Sequence, residues 1–417
     1  MHTALALLLA TAHAAPDDDA ALRKRVAKVL QRTPLIDGHN DVPWAVRSRA
    51  QRRLGELPLA HSTAELERPM HTDIPRLEAG QVGGVFWSVW IPTSLEGPEA
   101  VLTVVEQIDV VHRMVEAFPD TLALATTASE VRRIHKGGRI ASLIGMEGGH
   151  SIGGNLAALR ASYGLGVRYM TLTHWKTIGW ADAATDAPQH DGLSPFGVEV
   201  VREMNRLGML VDLSHVSAAT MHDALDASEA PVIFSHSGAF AINPHPRNVP
   251  DDVLDRVKSN GGVVMVDFLP HYVSEEVYTW STLREAEKAR LEALHLGAPD
   301  LAETGLDAWE EQHPKPRSTL AQVADHVDHI AERIGVAHVG IGTDFDGMRD
   351  QPDGLDDVSA IPELLVELLR RGYTDADIAD IAGNNVLRAL EGAEATATRL
   401  QKERPASEAD LYQLEAP

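Results

Sequence analysis

Residues 35–44 read Leu35-Ile-Asp-Gly-His-Asn-Asp-Val-Pro-Trp44, an apolar run that breaks into a polar cluster containing His39 and Asp41. Side chains two residues apart on a strand point to the same face, so His39 and Asp41 are expected to converge. Such a pair at a strand end can supply two of the nitrogen and oxygen ligands that Zn²⁺ accepts. A His-x-Asp pair also fits a plainly capped strand end, so the metal interpretation needs support from elsewhere in the chain.

Similar β-rich runs recur along the chain and alternate with helical patterns. We predict eight strands, at 35–41, 84–90, 140–147, 167–174, 209–215, 231–236, 262–268 and 338–344. Between them, 196–207 and 320–334 have the apolar spacing of amphipathic helices, and each is followed by glycine. Eight apolar strands that alternate with helices predict the α/β class and a closed (β/α)8 TIM barrel.

The predicted strands end in residue types that bind metals. In such barrels the active site lies at the C-terminal ends of the strands. Six of the eight strand ends carry such a residue: His39 with Asp41, Glu147, His174, His215, His236 and Asp344. Their recurrence predicts a polynuclear metal site built from histidine and carboxylate. The remaining histidines, among them His61, His112, His326 and His329, are expected at the surface, and His150 beside the ligands.

Composition limits the classes of function. The 417 residues carry 61 acidic and 37 basic side chains, a net charge of −24 that argues against sequence-independent binding to nucleic acid or to an anionic membrane. The chain contains no cysteine, so it has neither a thiolate nucleophile nor a disulfide, and any zinc site must use histidine and carboxylate. We expect a soluble protein.

The two ends of the chain bear on its localisation. Residues 1–15 contain a short apolar segment followed by Ala12-His13-Ala14, and we predict a signal peptide there. Export to the periplasm or secretion is the expectation, and a frayed N-terminus on a cytoplasmic protein is the alternative. No later segment approaches the roughly 20 apolar residues that span a bilayer, and the polar C-terminus carries no anchor signal.

The length fits one catalytic domain over residues 16–417, since barrels with insertions commonly reach this size. Two stretches exceed a minimal barrel, at about 45–80 and at 274–316. The first could cover the barrel mouth as a lid, and the second is expected to form one or two inserted helices. Peripheral decoration is the alternative for both.

The motifs resemble those of the membrane dipeptidase (renal dipeptidase) family of zinc peptidases. The resemblance runs from about residue 35 to 392 and rests on seven ordered motifs: Asp37-Gly-His-Asn-Asp41, Gly145-Met-Glu-Gly-Gly-His150, Arg168-Tyr-Met-Thr-Leu-Thr-His174, Asp212-Leu-Ser-His-Val-Ser217, Phe234-Ser-His-Ser237, Arg247-Asn-Val-Pro-Asp251 and Gly342-Thr-Asp-Phe-Asp-Gly347. It implies a dipeptidase with two zinc ions per chain and small dipeptide substrates. The cysteines and the C-terminal lipid-anchor signal of the family's animal members are absent here, so we expect no membrane anchor, and the net charge argues against a nucleic-acid partner. A homodimer is left open.

The resemblance also implies individual roles. His39 and Asp41 would bind one zinc ion, His215 and His236 the other, and Glu147 would bridge them. His174 and Asp344 would bind substrate and transfer protons, and Arg247 would hold the substrate carboxylate. The alternative for Arg247 is a surface arginine paired with Asp251 or Asp252.

The predicted ligands and their neighbours could together carry out hydrolysis. Two metal ions roughly 3.5–4 Å apart can share a water whose pKa falls toward about 7, which provides a bridging hydroxide as the nucleophile. A protonated His174 would then stabilise the oxyanion, and Asp344 would pass a proton to the leaving amine. Asp37 and Asp212 could either orient imidazoles or cap strand ends.

Two other functions stay open at this point. A deaminase or a phosphotriesterase-like hydrolase could use similar ligands on the same barrel. A periplasmic zinc-binding protein without turnover could retain the ligands, although it would have no use for Asp344 and Arg247.

Overall fold

The strands form a closed parallel barrel. In the computed structural model, which describes residues 16–414, the strands are β1 Leu35–Asn40, β2 Val82–Ser88, β3 Leu122–Leu124, β4 Ile140–Glu147, β5 Val167–Thr171, β6 Leu210–Asp212, β7 Ile233–Phe234, β8 Val263–Val266 and β9 Val339–Ile341. Parallel pairing runs in the order β1-β2-β4-β5-β6-β7-β8-β9 and returns to β1, so eight strands close a ring. The predicted TIM barrel is confirmed. The predicted signal peptide, residues 1–15, lies outside the described residues.

Strand β3 lies outside the ring and was not predicted. It pairs with the first half of β4, where Leu122 lies opposite Ile140 and Leu124 opposite Ser142. Its three residues form too short an apolar run to be distinguished from the end of a buried loop.

Helices surround the ring. They are α1 Pro16–Leu30, α2 Val42–Ala50, α3 Ile74–Ala79, α4 Gly97–Ala117, α5 Ala128–Lys136, α6 Leu156–Gly164, α7 Pro195–Leu207, α8 Ala218–Ala227, α9 Asp251–Asn260, α10 Pro270–Val273, α11 Glu275–Leu294, α12 Pro299–Gln312, α13 Leu320–Ile334, α14 Ile361–Arg370, α15 Asp375–Ala379, α16 Asn385–Glu403 and α17 Leu411–Leu414. Short 3-10 turns span Leu54–Glu56, Gly149–Ile152, Val336–His338 and Val358–Ala360, and a π-helical turn spans Asp380–Asn384.

Two predicted helices have the expected ends. Helix α7 begins after Ser194, whose side chain accepts a hydrogen bond from the Gly197 N–H, and it ends at Gly208 with φ of 86°. Helix α13 begins with a capping box between Thr319 and Gln322. Both predictions are confirmed. The apolar spacing in the sequence and the capping residues in the structure indicate the same boundaries.

The barrel interior is filled by side chains. Alternate residues of the strands fall into two separate buried clusters, with Val85 and Trp87 of β2 in one cluster and Phe86 in the other, together with Tyr169 of β5. A Cβ on Gly145 would lie 2.0 Å from the Tyr169 ring, so glycine at position 145 makes room for that ring. This packing brings the tyrosine hydroxyl to the ligand end of the barrel.

Several strands end earlier than the sequence predicts. Strands β5, β6 and β9 stop three residues before His174, His215 and Asp344, which the predicted strands had included. The backbone turns at these positions, and His215 and Asp344 take positive φ of 68° and 60°. Most of the ligand-type residues are therefore among the first residues of the loops, where the backbone can orient each side chain separately.

The two long excursions have different structures. Residues 45–80 contain most of α2 and all of α3, and Thr72 between them accepts a hydrogen bond from Asn40 at the end of β1. Their role as a lid stays a prediction. Residues 274–316 contain α11 and α12, which pack against each other around their own small cluster of Leu291, Ala302 and Leu306. Among the described residues, no helix is long and apolar enough to cross a membrane.

The expectation that His326 lies at the surface is wrong. His326 is fully buried on α13, where its Nδ1 accepts a hydrogen bond from the Ala239 N–H and its Nε2 donates to the Val273 carbonyl. Burial lowers the pKa of the His326 imidazole to about 4. This histidine joins α13 to the loop after β7 and to the end of α10.

Candidate metal centre

Glu147 stands at the centre of the predicted ligands. It is the last residue of β4 and is buried. Its Oε2 lies 3.4 Å from His39 Nε2, and its Oε1 lies 3.1 Å from His215 Nε2 and 3.6 Å from His236 Nε2. His39 Nε2 in turn lies 3.3 Å from Asp41 Oδ2. One carboxylate thus faces two sets of ligand-type atoms, one with each oxygen.

The predicted residues form three overlapping groups among the described residues. In each group the ligand atoms lie within 4.8 Å of one another, and the groups are His39 with Glu147 and His236, Glu147 with His174 and His215, and His39 with Asp41 and Asp344. All seven predicted strand-end residues therefore converge. The division of ligands between two ions stays a prediction, since these groups cross it.

His39 is oriented by a tyrosine. Its Nδ1 lies 2.8 Å from the Tyr169 hydroxyl, and that hydroxyl donates to the Gly38 carbonyl at 3.2 Å. Because the hydroxyl proton is used on Gly38, the tyrosine oxygen accepts from His39 Nδ1–H. The lone pair of His39 is then on Nε2, which is buried and has no hydrogen-bond partner in residues 16–414. A buried imidazole lone pair without a partner fits a metal ligand.

His236 is oriented by a longer chain of hydrogen bonds. The Ser235 hydroxyl lies 2.8 Å from His236 Nδ1 and donates to Asp212 Oδ2 at 2.6 Å. His236 Nδ1 must then carry the proton, which again leaves the lone pair on Nε2. The nearby His215 Nε2 lies 2.9 Å from that atom. Two imidazole nitrogens that approach each other and a carboxylate form a donor set that suits Zn²⁺.

Asp212 and Asp37, for which the sequence left two roles open, have different roles in the structure. Asp212 orients His236 through Ser235, and it also accepts the backbone N–H groups of Ser214 and Ser235. Asp37 accepts hydrogen bonds from the Thr343 N–H and hydroxyl and from the His39 backbone N–H. Asp37 therefore holds β1 to the loop after β9.

The pKa values of Glu147 and Asp344 are shifted in opposite directions. Burial would raise the pKa of Glu147, but the neighbouring imidazoles, above all that of His39, outweigh it and hold that pKa well below its usual range. Burial, reinforced by the nearby carboxylates of Asp267 and Asp41, raises the pKa of Asp344 well above its usual range. The site thus separates a carboxylate that stays ionised from a carboxyl group that can hold a proton.

His174 is neutral, in contrast to the protonated imidazole expected from the sequence. Burial lowers its pKa to about 4, and Arg247 acts in the same direction. The Trp90 indole N–H donates to His174 Nδ1 at 3.0 Å, so the imidazole proton is on Nε2. That Nε2 lies 3.4 Å from Glu147 Oε1 and can donate to an oxygen atom in the site.

Arg247 is fully buried, which excludes the surface alternative. Its Nη2 donates to the His236 carbonyl at 3.0 Å and its Nη1 to the Ser237 hydroxyl at 3.2 Å. Its guanidinium carbon lies 4.9 Å from the centre of the Tyr272 ring. Arg247 Nε has no hydrogen-bond partner in the described part of the chain, which leaves donor capacity beside the site.

A small pocket opens onto these residues. Its volume is about 150 Å³, and it is lined by Asp41, Trp44, Trp90, Glu147, His174, Trp175, His215, Leu269, Tyr272, Asp344 and Gly347. This volume is below the roughly 300–1,000 Å³ of pockets for drug-sized ligands, so a small substrate fits best.

Sequence reasoning missed several residues that position the ligands. Tyr169, Ser235 and Trp90 each bond a histidine of the site, and Ser88 donates to Glu147 Oε2 at 3.1 Å. Tyr169 and Ser88 occupy apolar strand runs, where a buried hydroxyl requires a hydrogen-bond partner. That requirement was a usable signal. The partner could not be identified without the barrel geometry.

Known proteins are similar to this chain in sequence and in fold. A sequence model described as "Membrane dipeptidase (Peptidase family M19)" matches residues 23–404. "Dipeptidase verJ" of Clonostachys rogersoniana is 41% identical over 389 residues, which cover 91% of this chain and 89% of that protein. "Dipeptidase aclJ" of Aspergillus oryzae (strain ATCC 42149 / RIB 40) is 40% identical over 387 residues, with 91% and 82% covered.

A solved structure agrees with the barrel. The crystal structure of the "probable dipeptidase PvdM" from Pseudomonas aeruginosa has a TM-score of 0.75 and 25% sequence identity, and the similarity covers 91% of this chain and all of that one.

Proposed function

The chain belongs to the membrane dipeptidase family and is a metal-dependent dipeptidase, and from that premise we propose that it hydrolyses free dipeptides with two zinc ions bridged by Glu147. The observation that carries the proposal is the position of Glu147, whose two oxygens face different histidines at 3.1 to 3.6 Å. His39 and Asp41 would hold one ion, and His215 and His236 the other. The lone pairs on His39 and His236 Nε2 support that assignment.

The residues around the ligands suit peptide hydrolysis. Zinc ions held by these residues would supply Lewis-acid chemistry at the scissile carbonyl and would lower the pKa of a bound water toward about 7. His174 donates its Nε2–H to the carbonyl oxygen as negative charge develops there, and Trp90 holds the ring in that orientation. Asp344 holds a proton that it passes to the leaving amine. Arg247 binds the substrate carboxylate beside Tyr272.

The competing hydrolases fit less well. A phosphotriesterase-like enzyme typically bridges its metals with a modified lysine, whereas Glu147 occupies the bridging position here. A deaminase or a zinc-binding protein without turnover gives no role to the buried guanidinium of Arg247. We also propose one catalytic domain over residues 16–417, export directed by residues 1–15, and a monomer or a homodimer as the working state.

Metal removal and readdition test the proposal. Protein dialysed against a chelator should lose hydrolysis of Ala-Ala and regain it with Zn²⁺, with no deamination of nucleosides and no cleavage of phosphotriesters. Glu147→Gln should abolish the recovery, because the amide weakens both metal sites. Glu394→Gln is a matched control, since its remaining carbonyl oxygen can still accept the Ala128 N–H and the residue lies outside the site. Full activity without metal, or in Glu147→Gln, would contradict the proposal.

A further inference from the structure

Three tryptophans form an aromatic wall on one side of the pocket. Trp44 and Trp90 meet edge to face with ring centres 4.4 Å apart, and the Trp175 ring lies 6.1 Å from Trp90. Trp175 also packs on the His174 ring at 4.4 Å. We call Trp44, Trp90 and Trp175 the tryptophan wall.

The wall exposes apolar surface that the fold does not use. Trp175 is 53% exposed although it lines the pocket beside buried ligands. The indole N–H of Trp90 is already bonded to His174, so that ring offers its apolar surface to anything in the pocket. Exposed aromatic surface at the mouth of a polar pocket is typical of a binding surface for an apolar group.

The position of the wall indicates which part of a substrate it meets. Trp90 follows β2, whereas Arg247 follows β7, and in the closed ring these two strands are separated by four steps in either direction. Trp90 and Arg247 therefore come from opposite sides of the barrel ring. A dipeptide with its carboxylate toward Arg247 and its scissile carbonyl at the centre places its first residue toward the wall.

Charge at the wall favours an apolar side chain over a cationic one. Lys176 follows Trp175 directly, is exposed, and lies 3.3 Å from Asp186. Its charge and the proposed metal ions disfavour a second cation at this position. A large aromatic or aliphatic side chain gains from stacking and from removal of its surface from water.

We propose that the tryptophan wall, and Trp175 in particular, selects dipeptides whose first residue carries a large apolar or aromatic side chain. This inference rests on the proposed dipeptidase function and deepens it, because it specifies the substrate class. Trp175 contributes the exposed outer part of the wall, and Trp44 and Trp90 contribute the inner part.

The test compares kcat/KM of the full-length, zinc-loaded enzyme for Phe-Ala, Ala-Phe, Lys-Ala and Ala-Ala. The wild type should cleave Phe-Ala about tenfold or more faster than Ala-Ala, with no such gain for Ala-Phe or Lys-Ala. Trp175→Ala should reduce the ratio of Phe-Ala to Ala-Ala to about one, while Trp175→Phe should keep most of it. The ratio separates the effect of the tryptophan wall on selectivity from any disturbance of His174, because a disturbed His174 would slow all substrates alike.

Trp280→Ala serves as the matched control. Trp280 lies on α11, where it packs against Trp309 with ring centres 6.0 Å apart, outside the pocket. This variant should keep both the ratio and the activity of the wild type. A Phe-Ala to Ala-Ala ratio that survives Trp175→Ala, or a stronger preference for Ala-Phe or Lys-Ala, would overturn the inference. Failure of the wild type to cleave any of the four dipeptides would overturn the proposed function, and this inference with it.

Discussion

Glu147 shows why the site needs cations. Burial removes its carboxylate from water, and the carboxyl groups of Asp41 and Asp344 lie in the same buried centre. Ionised carboxyl groups that share a buried site repel one another strongly. Bound divalent ions would neutralise this set. Each ligand must therefore present its lone pair inward, which makes the groups that orient the imidazoles important for metal affinity.

The first residue-scale prediction concerns Tyr169. Tyr169→Phe removes the hydroxyl that accepts His39 Nδ1–H, so the imidazole loses the bond that fixes its tautomer and orientation. Loss of such a partner typically weakens metal binding by about 10- to 100-fold. Competition with a chromophoric chelator should show this decrease in zinc affinity. Tyr163→Phe is the control, because Tyr163 packs on Arg168 away from the ligands. Equal zinc affinity in the two variants would remove Tyr169 from this role.

The second residue-scale prediction concerns Arg247. A buried guanidinium that meets an amide in place of a carboxylate is left without a counter-charge, at a cost of about 2–5 kcal/mol. Arg247→Ala should lower kcat/KM for a free dipeptide by roughly 30-fold or more and hardly change it for the same dipeptide amidated at its C-terminus. Arg333→Ala, which removes a surface arginine paired with Asp251 and Asp255, should affect neither substrate. Equal losses on both substrates would show that Arg247 does not bind the carboxylate.

At the scale of elements, the barrel strands and their loops have separate tasks. The buried strands hold the loops in place, and the first loop residues carry His174, His215, His236 and Asp344. The positive φ of His215 and Asp344 is sparsely populated by such residues and costs on the order of 1–3 kcal/mol each. Strand packing and the hydrogen bonds behind the ligands offset that cost.

Helix α13 provides a prediction on pH dependence. The pKa of His326 is about 4 in the folded protein, below its ordinary 6.5, because the buried imidazole must stay neutral to accept the Ala239 N–H. The stabilisation is therefore fully present above about pH 6.5 and decreases as the pH falls toward 4. The wild type should lose about 3 kcal/mol more free energy of unfolding between pH 7 and pH 4 than His326→Gln, as measured by urea denaturation. Parallel pH dependence in the two proteins would contradict this.

The hairpin of α11 and α12 provides a second element-scale prediction. The two helices pack around their own small cluster, and Arg284 Nε lies 2.6 Å from Glu310 Oε1 near the base of the hairpin. Replacement of residues 285–309 by a short Gly-Ser linker should leave the barrel folded. Calorimetry should show a change in Tm of less than about 4 °C, and dipeptide kcat/KM should stay within about threefold. An unfolded or inactive product would show that the hairpin supports the barrel.

For the whole molecule, sequence patterns predict the architecture better than the fine geometry. Buried parallel strands read as apolar runs, so the eight ring strands and the convergence of seven ligand-type residues could be predicted before the structure. The ends of β5, β6 and β9 could not, because positive φ at His215 and Asp344 follows from tertiary contacts rather than from residue preference. The charge state of His174 depends on its burial, and its tautomer depends on Trp90, which lies 84 positions away in the sequence.

The proposed mechanism requires two zinc ions that share Glu147. Crystals of the zinc-loaded enzyme measured on both sides of the zinc absorption edge test this most directly. We expect two anomalous peaks per chain, one on each side of the Glu147 carboxylate, with one next to His39 and Asp41 and the other next to His215 and His236. Crystals of Glu147→Gln should show both peaks weakened. A single peak in the wild type, or two peaks that do not share Glu147, would contradict the proposed two-zinc site.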